Sequence, residues 1–255
     1  MRERVYEDTY SRGGHEFRKK VDVASGTFAL SMDGRPVTLA EWNQAVNRCF
    51  PMALKSAHQN LLVRIKEQSR IRGLTRLVLQ DRPRRVGDVG CEAGHVARAI
   101  LPHVEEIVCI DSDPAMVAQA LASLGSPKAK GLSADASHIE LEDGGLDALL
   151  AASIIEHVAD PAAAVREFAR VVRPGGLLVV SVPNDRAVLQ IKRLLRAAGL
   201  GRLLGQLAPG LAMGHIHVFT RARLRAIAAS AGEVAYCGFL KPFFLDICAV
   251  IRRTG

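Results

Sequence analysis

Aromatic residues are scarce in this chain, with one tryptophan, three tyrosines and eight phenylalanines among 255 residues. The tyrosines (Tyr6, Tyr10 and Tyr236) form no stacking platform of the kind that single-stranded nucleic acids use. Cysteine is thin as well. Cys49, Cys91, Cys109, Cys237 and Cys248 are odd in number and scattered, without a Cys-x-x-Cys pair. Cys109 and Cys248 fall inside apolar runs, so the cysteines read as buried thiols in a reducing compartment. No stretch reaches the ~20 apolar residues of a membrane span. The charged start Met1-Arg2-Glu3-Arg4 is followed by no apolar segment like that of a signal peptide, so a cytoplasmic protein is expected. Internal repeats are lacking too.

What is present is apolar and basic. Hydrophobic residues make up 49% of the chain, ample for a large core. The length suits one domain of about 170 residues plus an N-terminal extension. A net charge of +8 fits nucleic acid, an anionic membrane surface or an acidic substrate, and equally a set of solvated helix faces. The charge is clustered. Arg64, Lys66, Arg70, Arg72, Arg76, Arg82, Arg84 and Arg85 crowd into one run, and Lys192, Arg193, Arg196 and Arg202 into another.

Residues 1–20 are polar and read as irregular, with Gly13-Gly14-His15 as a flexible point. A hairpin is expected over 26–38, turning at Asp33-Gly34. Thr38 and Glu41 form a capping box for a helix over 39–49, and a longer helical pattern runs over 52–79. The region 1–80 is therefore expected to be a largely helical cap, and 81–255 the main domain. From Arg84 strands (84–89, 106–111, 129–133, 147–153, 175–182) alternate with helices (95–102, 114–123, 161–172). An insertion over 185–213 precedes a helix over 221–231 and two strands near 233–240 and 244–252. Such alternation implies an α/β fold with a doubly wound, mostly parallel sheet that binds ligands at the carboxyl ends of its strands.

The chemistry centres on residues 85–95. A short apolar strand ends in Asp88, and a turn carrying Gly90 and Gly94 opens into a helix. The two glycines let backbone approach a ligand, and the helix start offers N–H groups to an anionic or strongly polar group. The next strand ends in Asp111, 111 − 88 = 23 positions on, so both acids lie at one edge of the sheet. A carboxylate there suits the two hydroxyls of a ribose. The other role open to Asp111, a helix N-cap, fits Asp113 better. Asp135 follows the third strand, where an adenine amino group could donate to it.

These features, in this order, resemble the class I S-adenosylmethionine-dependent methyltransferases over about residues 84–252. Asp88-Val-Gly90-Cys-Glu92-Ala-Gly94 lines up with that family's acid-x-Gly-x-Gly-x-Gly turn. The stretches Ser153 to Pro161, Arg170 to Gly176, Pro183-Asn184 and Gly214 to Thr220 look like its small-molecule and lipid branch, which includes the quinone-biosynthesis O-methyltransferases. The resemblance implies a seven-stranded sheet with an antiparallel last strand. It also implies S-adenosylmethionine as cofactor. Gly90 and Gly94 would lie under its methionine part, with Asp88, Cys91 and Glu92 in the same turn. Asp111 would hold the ribose with Ser112 beside it, and Met116 would pack near the adenine. Asp135 and Ala136 would line the adenine site, and Ser153 would complete the set beyond the fourth strand. Glu92 departs from the pattern, since a glycine is usual there; its carboxylate could bind the cofactor's ammonium group. The same Glu92 disfavours a nicotinamide dehydrogenase, whose fingerprint needs glycine at that position.

The place after strand four reads Ser153-Ile-Ile-Glu-His157, not the Asn/Asp-Pro-Pro-aromatic stretch of enzymes that methylate exocyclic amines of nucleic acids. Nor is there a Pro-Cys nucleophile. A small, apolar or lipid-like acceptor is expected instead, with oxygen favoured. An acceptor that must shed a proton calls for a base, and His157 is the candidate; bracing the rim is the other role open to it. His215 and His217 alternate, so one is expected to face the acceptor and the other to face out. The similar quinone methyltransferases can carry a metal-supporting glutamate where this chain has Ser153, so no metal is expected. The insertion reads as a basic amphipathic helix that rests on anionic membrane lipid, lids an apolar pocket, or simply packs on the core. A binding or regulatory protein of the same fold, without acceptor chemistry, is the alternative from another functional class.

Overall fold

In a computed structural model, the structure describes residues 5–12, 14–22, 27–49, 61–199 and 215–255. They fall into two compact units, one made of residues 1–61 with 185–218 and the other of 62–184 with 219–255.

The larger unit is a seven-stranded sheet. In chain order its strands are β5 (Arg85–Val89), β6 (Glu106–Asp111), β7 (Ala129–Ser133), β8 (Leu146–Ala152), β9 (Val172–Pro183), β10 (Glu233–Phe239) and β11 (Asp246–Arg252). Their order across the sheet is β10-β11-β9-β8-β5-β6-β7. Neighbours from β9 through β7 are parallel, and β11 runs antiparallel to both β9 and β10. The last strand is antiparallel, as expected. Chain order reverses at β5, which pairs with β6 on one side and β8 on the other, and this is where such sheets open a crevice.

Among the described residues, six helices follow in chain order from residue 61, five of them in this unit. They are α2 (Leu61–Val78), α3 (His95–Ile100), α4 (Pro114–Leu124), α5 (Pro161–Val171), α6 (Asp185–Ala197) and α7 (Arg221–Ala228); α6 belongs to the smaller unit. The part of the long helix expected over 52–60 lies outside the described residues. In β6 alternate side chains serve opposite faces. Val108 and Ile110 join Phe168 of α5 and Leu224 of α7, whereas Ile107 and Cys109 join Leu74 of α2 and Ile100 of α3. Helices start where sequence chemistry puts them. Asp113 and Asp160 cap α4 and α5 by accepting backbone N–H groups, and each is followed by proline at the first turn.

The smaller unit corrects the expectation of a largely helical cap. Its core element is an antiparallel sheet in the order β1 (Val5–Arg12), β2 (His15–Asp22), β3 (Phe28–Met32), β4 (Arg35–Pro36), followed by α1 (Leu39–Cys49). Residues 1–20, read as irregular, supply two of these strands. The reason is visible in β2, where Phe17, Lys19 and Val21 all point inward. A lysine at the central inward position hides the apolar alternation; its ammonium donates to the His215 carbonyl at 2.9 Å. The β3–β4 turn is the expected Asp33-Gly34, with both residues at positive φ. The capping box also forms: Thr38 N–H donates to Glu41 Oε2 at 2.8 Å and Glu41 N–H to Thr38 Oγ1 at 3.2 Å. Phe17, Leu30, Trp42 and Ile216 make this unit's own core, with the Phe17 and Trp42 rings edge to face at 5.5 Å.

Among the described residues no helix is long and apolar enough to cross a membrane.

Candidate active site

The crevice at the carboxyl ends of β5 and β6 is built by the turn after β5. Gly90 N–H and Cys91 N–H both donate to the Ile110 carbonyl, at 2.8 and 3.1 Å, which pins the turn to β6. Gly90 and Gly94 have φ of 73° and 79°. A Cβ on Gly90 would sit 3.1 Å from Ile154 Cδ1, and one on Gly94 would sit 3.3 Å from the Ala120 backbone, so both conformation and space demand glycine. Glu92 takes the left-handed conformation too, at φ 47°. The turn keeps the shape of the three-glycine pattern and carries a carboxylate in its middle.

Asp111 closes the opposite side. Its Oδ2 accepts Glu92 N–H at 3.1 Å and its Oδ1 accepts Asp113 N–H at 3.0 Å, which fixes the carboxylate at the strand end. Asp113, not Asp111, caps the helix. Burial raises the pKa of Asp111, against the pull of those amides. Asp88 is almost wholly buried and its Oδ2 has no hydrogen-bond partner. Burial first, then the neighbouring Glu92 charge, push its pKa up to about 7, while an N–H from Ala97 works the other way. The Cys91 thiol is pushed up by a hydrogen bond with Cys109 and by burial.

Further along the rim, Asp135 is exposed and accepts Ser137 N–H at 2.7 Å, with Ala136 buried behind it. Met116 lies half-buried in α4 and Ser112 is exposed beside Asp111. Ser153 follows β8 in a left-handed conformation, φ 59°, and its N–H donates to the Ser181 carbonyl at 2.8 Å. Glu156 is buried and His157 half-buried in the next turn, where His157 N–H donates to the Ile154 carbonyl at 3.0 Å. All the residues assigned to the cofactor, with His157, therefore lie in the larger unit at the carboxyl ends of β5 through β8.

His215 and His217 lie in the smaller unit, and the expectation that one of them faces out is corrected. His217 is 2% exposed, its ring edge to face with Phe28 at 6.2 Å, and His215 is held by Asp185 at 3.2 Å. Ile216, the residue between them, enters the core with Phe17 and Trp42, and so draws both neighbours in.

One site residue was missed. Arg70 of α2 donates to Ser153 Oγ at 2.9 Å and pairs with Glu67 at 2.9 Å and Asp246 at 3.3 Å. Burial works against its charge, and the carboxylates of Glu67, Asp246, Glu156 and Glu92 outweigh that, so its pKa stands above the usual arginine value. A signal existed. Arg70, Leu74 and Val78 are spaced by four, and the last two are fully buried, so the arginine continues the buried stripe of the helix.

Residues 87–180 match the family described as methyltransferase domain. Over that stretch the chain is similar to a methyltransferase domain. Over 101 residues it is 35% identical to a probable S-adenosylmethionine-dependent methyltransferase of Mycobacterium tuberculosis (strain ATCC 25618 / H37Rv), covering 40% of this chain and 36% of that one. Over 127 residues it is 32% identical to the ubiquinone biosynthesis O-methyltransferase of Xanthomonas axonopodis pv. citri (strain 306), covering 47% and 52%. The chain thus spans about half or less of the length of the curated relatives it matches. The fold also resembles that of the N-methyltransferase NodS from Bradyrhizobium japonicum WM9, solved in complex with S-adenosyl-L-homocysteine. The TM-score is 0.60 at 17% identity, covering 83% of this chain and 98% of that one, a likeness of fold.

Proposed function

We propose that the chain binds S-adenosylmethionine in the crevice beyond β5 and β6 and transfers its methyl group to a small, apolar or lipid-like acceptor, with oxygen favoured. The observation that carries this reading is the pinned Asp111 carboxylate opposite a turn in three left-handed steps, Gly90, Glu92 and Gly94.

The residues fit this cofactor. Its positive sulfonium and ammonium groups suit a crevice lined by Asp88, Glu92 and Asp111, and the unpartnered Asp88 oxygen gives that side of the crevice an acceptor to spare. Its carboxylate suits Arg70, a cation whose charge reaches Glu92 and Asp88. When bound, it supplies a methyl group open to in-line displacement. Asp111 accepts the ribose hydroxyls, Met116 and Ala136 pack the adenine, and Asp135 accepts its amino group. His157 takes the acceptor's proton. Positioning carries most of the remaining work. In α6, Ile191 and Leu194 are exposed, at 45% and 70%, which supports a lipid-facing role for the insertion; the side chains of Lys192, Arg193 and Arg196, and all of Arg202, lie outside the described residues.

Calorimetric titration of S-adenosylmethionine and its demethylated product, into the protein and into Asp111→Ala, tests the reading. Micromolar binding lost in the variant is the expected result. Binding to neither ligand by the unaltered protein would overturn the cofactor assignment. Binding without turnover on any apolar acceptor would favour a regulatory protein of the same fold.

A further inference from the structure

The hairpin that closes the large sheet ends in an aromatic turn that takes no part in the site above. Residues 236–245 read Tyr-Cys-Gly-Phe-Leu-Lys-Pro-Phe-Phe-Leu, with one cation, Lys241, and no acid. Tyr236, Phe239, Phe243 and Phe244 are all exposed, by 37% to 49%. Three of the chain's eight phenylalanines thus stand in water within six residues. An apolar cluster of this kind marks an interaction surface more often than a scattered exposed residue does.

The turn is a rigid frame that holds the rings out. Leu240 N–H donates to the Asp246 carbonyl at 2.9 Å and Phe244 N–H to the Leu240 carbonyl at 3.1 Å. Asn184, beyond β9, donates its backbone N–H to Leu245 and its side-chain amide to Phe244, at 2.8 and 3.0 Å. The Tyr236 hydroxyl donates to the Phe239 carbonyl, and the Phe239 and Phe244 rings meet edge to face at 6.4 Å. Leu240 instead turns inward against Gly73 of α2.

Placement and charge indicate what the surface meets. Asp246 pairs with Pro183 at the carboxyl end of β9, so the turn lies on the same edge of the sheet as the cofactor crevice. Asp246 itself is buried against Arg70 and offers no exposed negative charge. Three exposed cations stand in or beside the turn: Lys241 within it, and Arg221 and Arg225 of α7, whose charges reach Cys237. One half-exposed acid, Glu67, shares Arg70 with the buried Asp246.

We propose that the aromatic turn over 239–244 is a docking surface for an anionic lipid bilayer. The Phe239, Phe243 and Phe244 rings enter the boundary between headgroups and acyl chains, while Lys241, Arg221 and Arg225 meet anionic headgroups. Rings beside cations, with no acid in the turn itself, are what such a boundary selects, and the net charge of +8 adds attraction at a distance. A lipid-like acceptor would then be met on the edge where the crevice opens. That last step rests on the proposed function; the docking does not.

Co-sedimentation with phosphatidylglycerol-containing vesicles, against pure phosphatidylcholine, is the test. The unaltered protein is expected to bind the anionic vesicles and to release as salt rises. Phe239→Ser with Phe243→Ser, and separately Lys241→Glu, each lower the partition coefficient about 10-fold or more. Ile191→Ser with Leu194→Ser in α6 leaves the effect of the turn in place. Unchanged S-adenosylmethionine affinity in the turn variants shows that they are folded. The proposal is overturned if the unaltered protein ignores anionic vesicles, or if only the α6 variant loses binding. It also falls if light scattering finds a dimer that the phenylalanine variant dissolves, because a second copy then covers the turn. Loss of cofactor binding in the unaltered protein would instead sink the methyl-transfer reading and leave the vesicle result standing.

Discussion

The guanidinium of Arg70 donates to the hydroxyl of Ser153 at 2.9 Å, joining the helix ahead of the sheet to the loop that follows β8. The same guanidinium neutralises Asp246, and both side chains are nearly buried. Arg70→Ala is expected to lower S-adenosylmethionine affinity about 10-fold or more, since a charge-assisted hydrogen bond is lost. It should also cost about 3 kcal/mol of stability in urea, because Asp246 is left buried without its cation. Arg70→Met combined with Asp246→Leu should recover most of the stability and none of the affinity. A double variant that regains affinity would remove Arg70 from the cofactor site.

Glu92 occupies a left-handed conformation at φ 47°. Glu92→Gly should therefore raise stability by about 1 kcal/mol. If the carboxylate holds the cofactor's ammonium group, affinity falls about 10-fold in the same variant. Affinity that rises instead would mean that Glu92 only narrows the crevice.

Asp88 governs a pH dependence whose sign is fixed. Its folded pKa of about 7 lies above the ordinary 3.8, so the unfolded chain releases the proton first as pH rises. Stability from this group is full below about pH 4 and is lost as pH climbs to about 7. Thermal melts of Asp88→Asn should show a shallower fall across that window. A slope equal to that of the unaltered protein would contradict the assignment.

Cys91, Cys109 and Cys248 are buried, and burial pushes the Cys248 thiol up to about 12. A thiol reagent at neutral pH should label Cys49 and Cys237 in the folded protein and reach the other three only after unfolding. Mass spectrometry of labelled peptides reads this directly, and early labelling of Cys91 would show that the turn after β5 opens.

His157 as a base predicts a loss of turnover without a loss of cofactor binding. His157→Asn should lower kcat about 100-fold on an acceptor that must shed a proton, with S-adenosylmethionine affinity unchanged. Treatment with a chelator should leave turnover intact. Activity abolished by the chelator and restored by a divalent cation would place a metal where none is expected.

The alternation of the large sheet was legible because β5, β6, β8 and β9 carry short apolar runs and α3, α4 and α5 open at a glycine or an acid-proline start. Gly90, Gly94 and Asp111 could be read for the same reason, since the turn's backbone needs those residue types. Arg70 was hidden by company: eight basic residues stand in its run, and only its register with Leu74 and Val78 sets it apart. Strands β1 and β2 were hidden by Lys19, which occupies an inward position that a sequence pattern counts as polar. The inward turn of His215 and His217 depends on Ile216 reaching a core whose other members lie some 200 residues away, at Phe17 and Leu30. Local spacing carries no trace of that.

Ile216 also sets a schedule. The smaller unit needs both ends of its chain, residues 1–61 and 185–218, before its core of Phe17, Leu30, Trp42 and Ile216 can close. Between them, 216 − 61 = 155 further residues must leave the ribosome, which takes about 8–30 s at ordinary rates of synthesis. For that interval Phe17 and Trp42 wait without their final partner. A nascent chain stalled before residue 216 should therefore expose the tryptophan to a quencher, and one released beyond it should not.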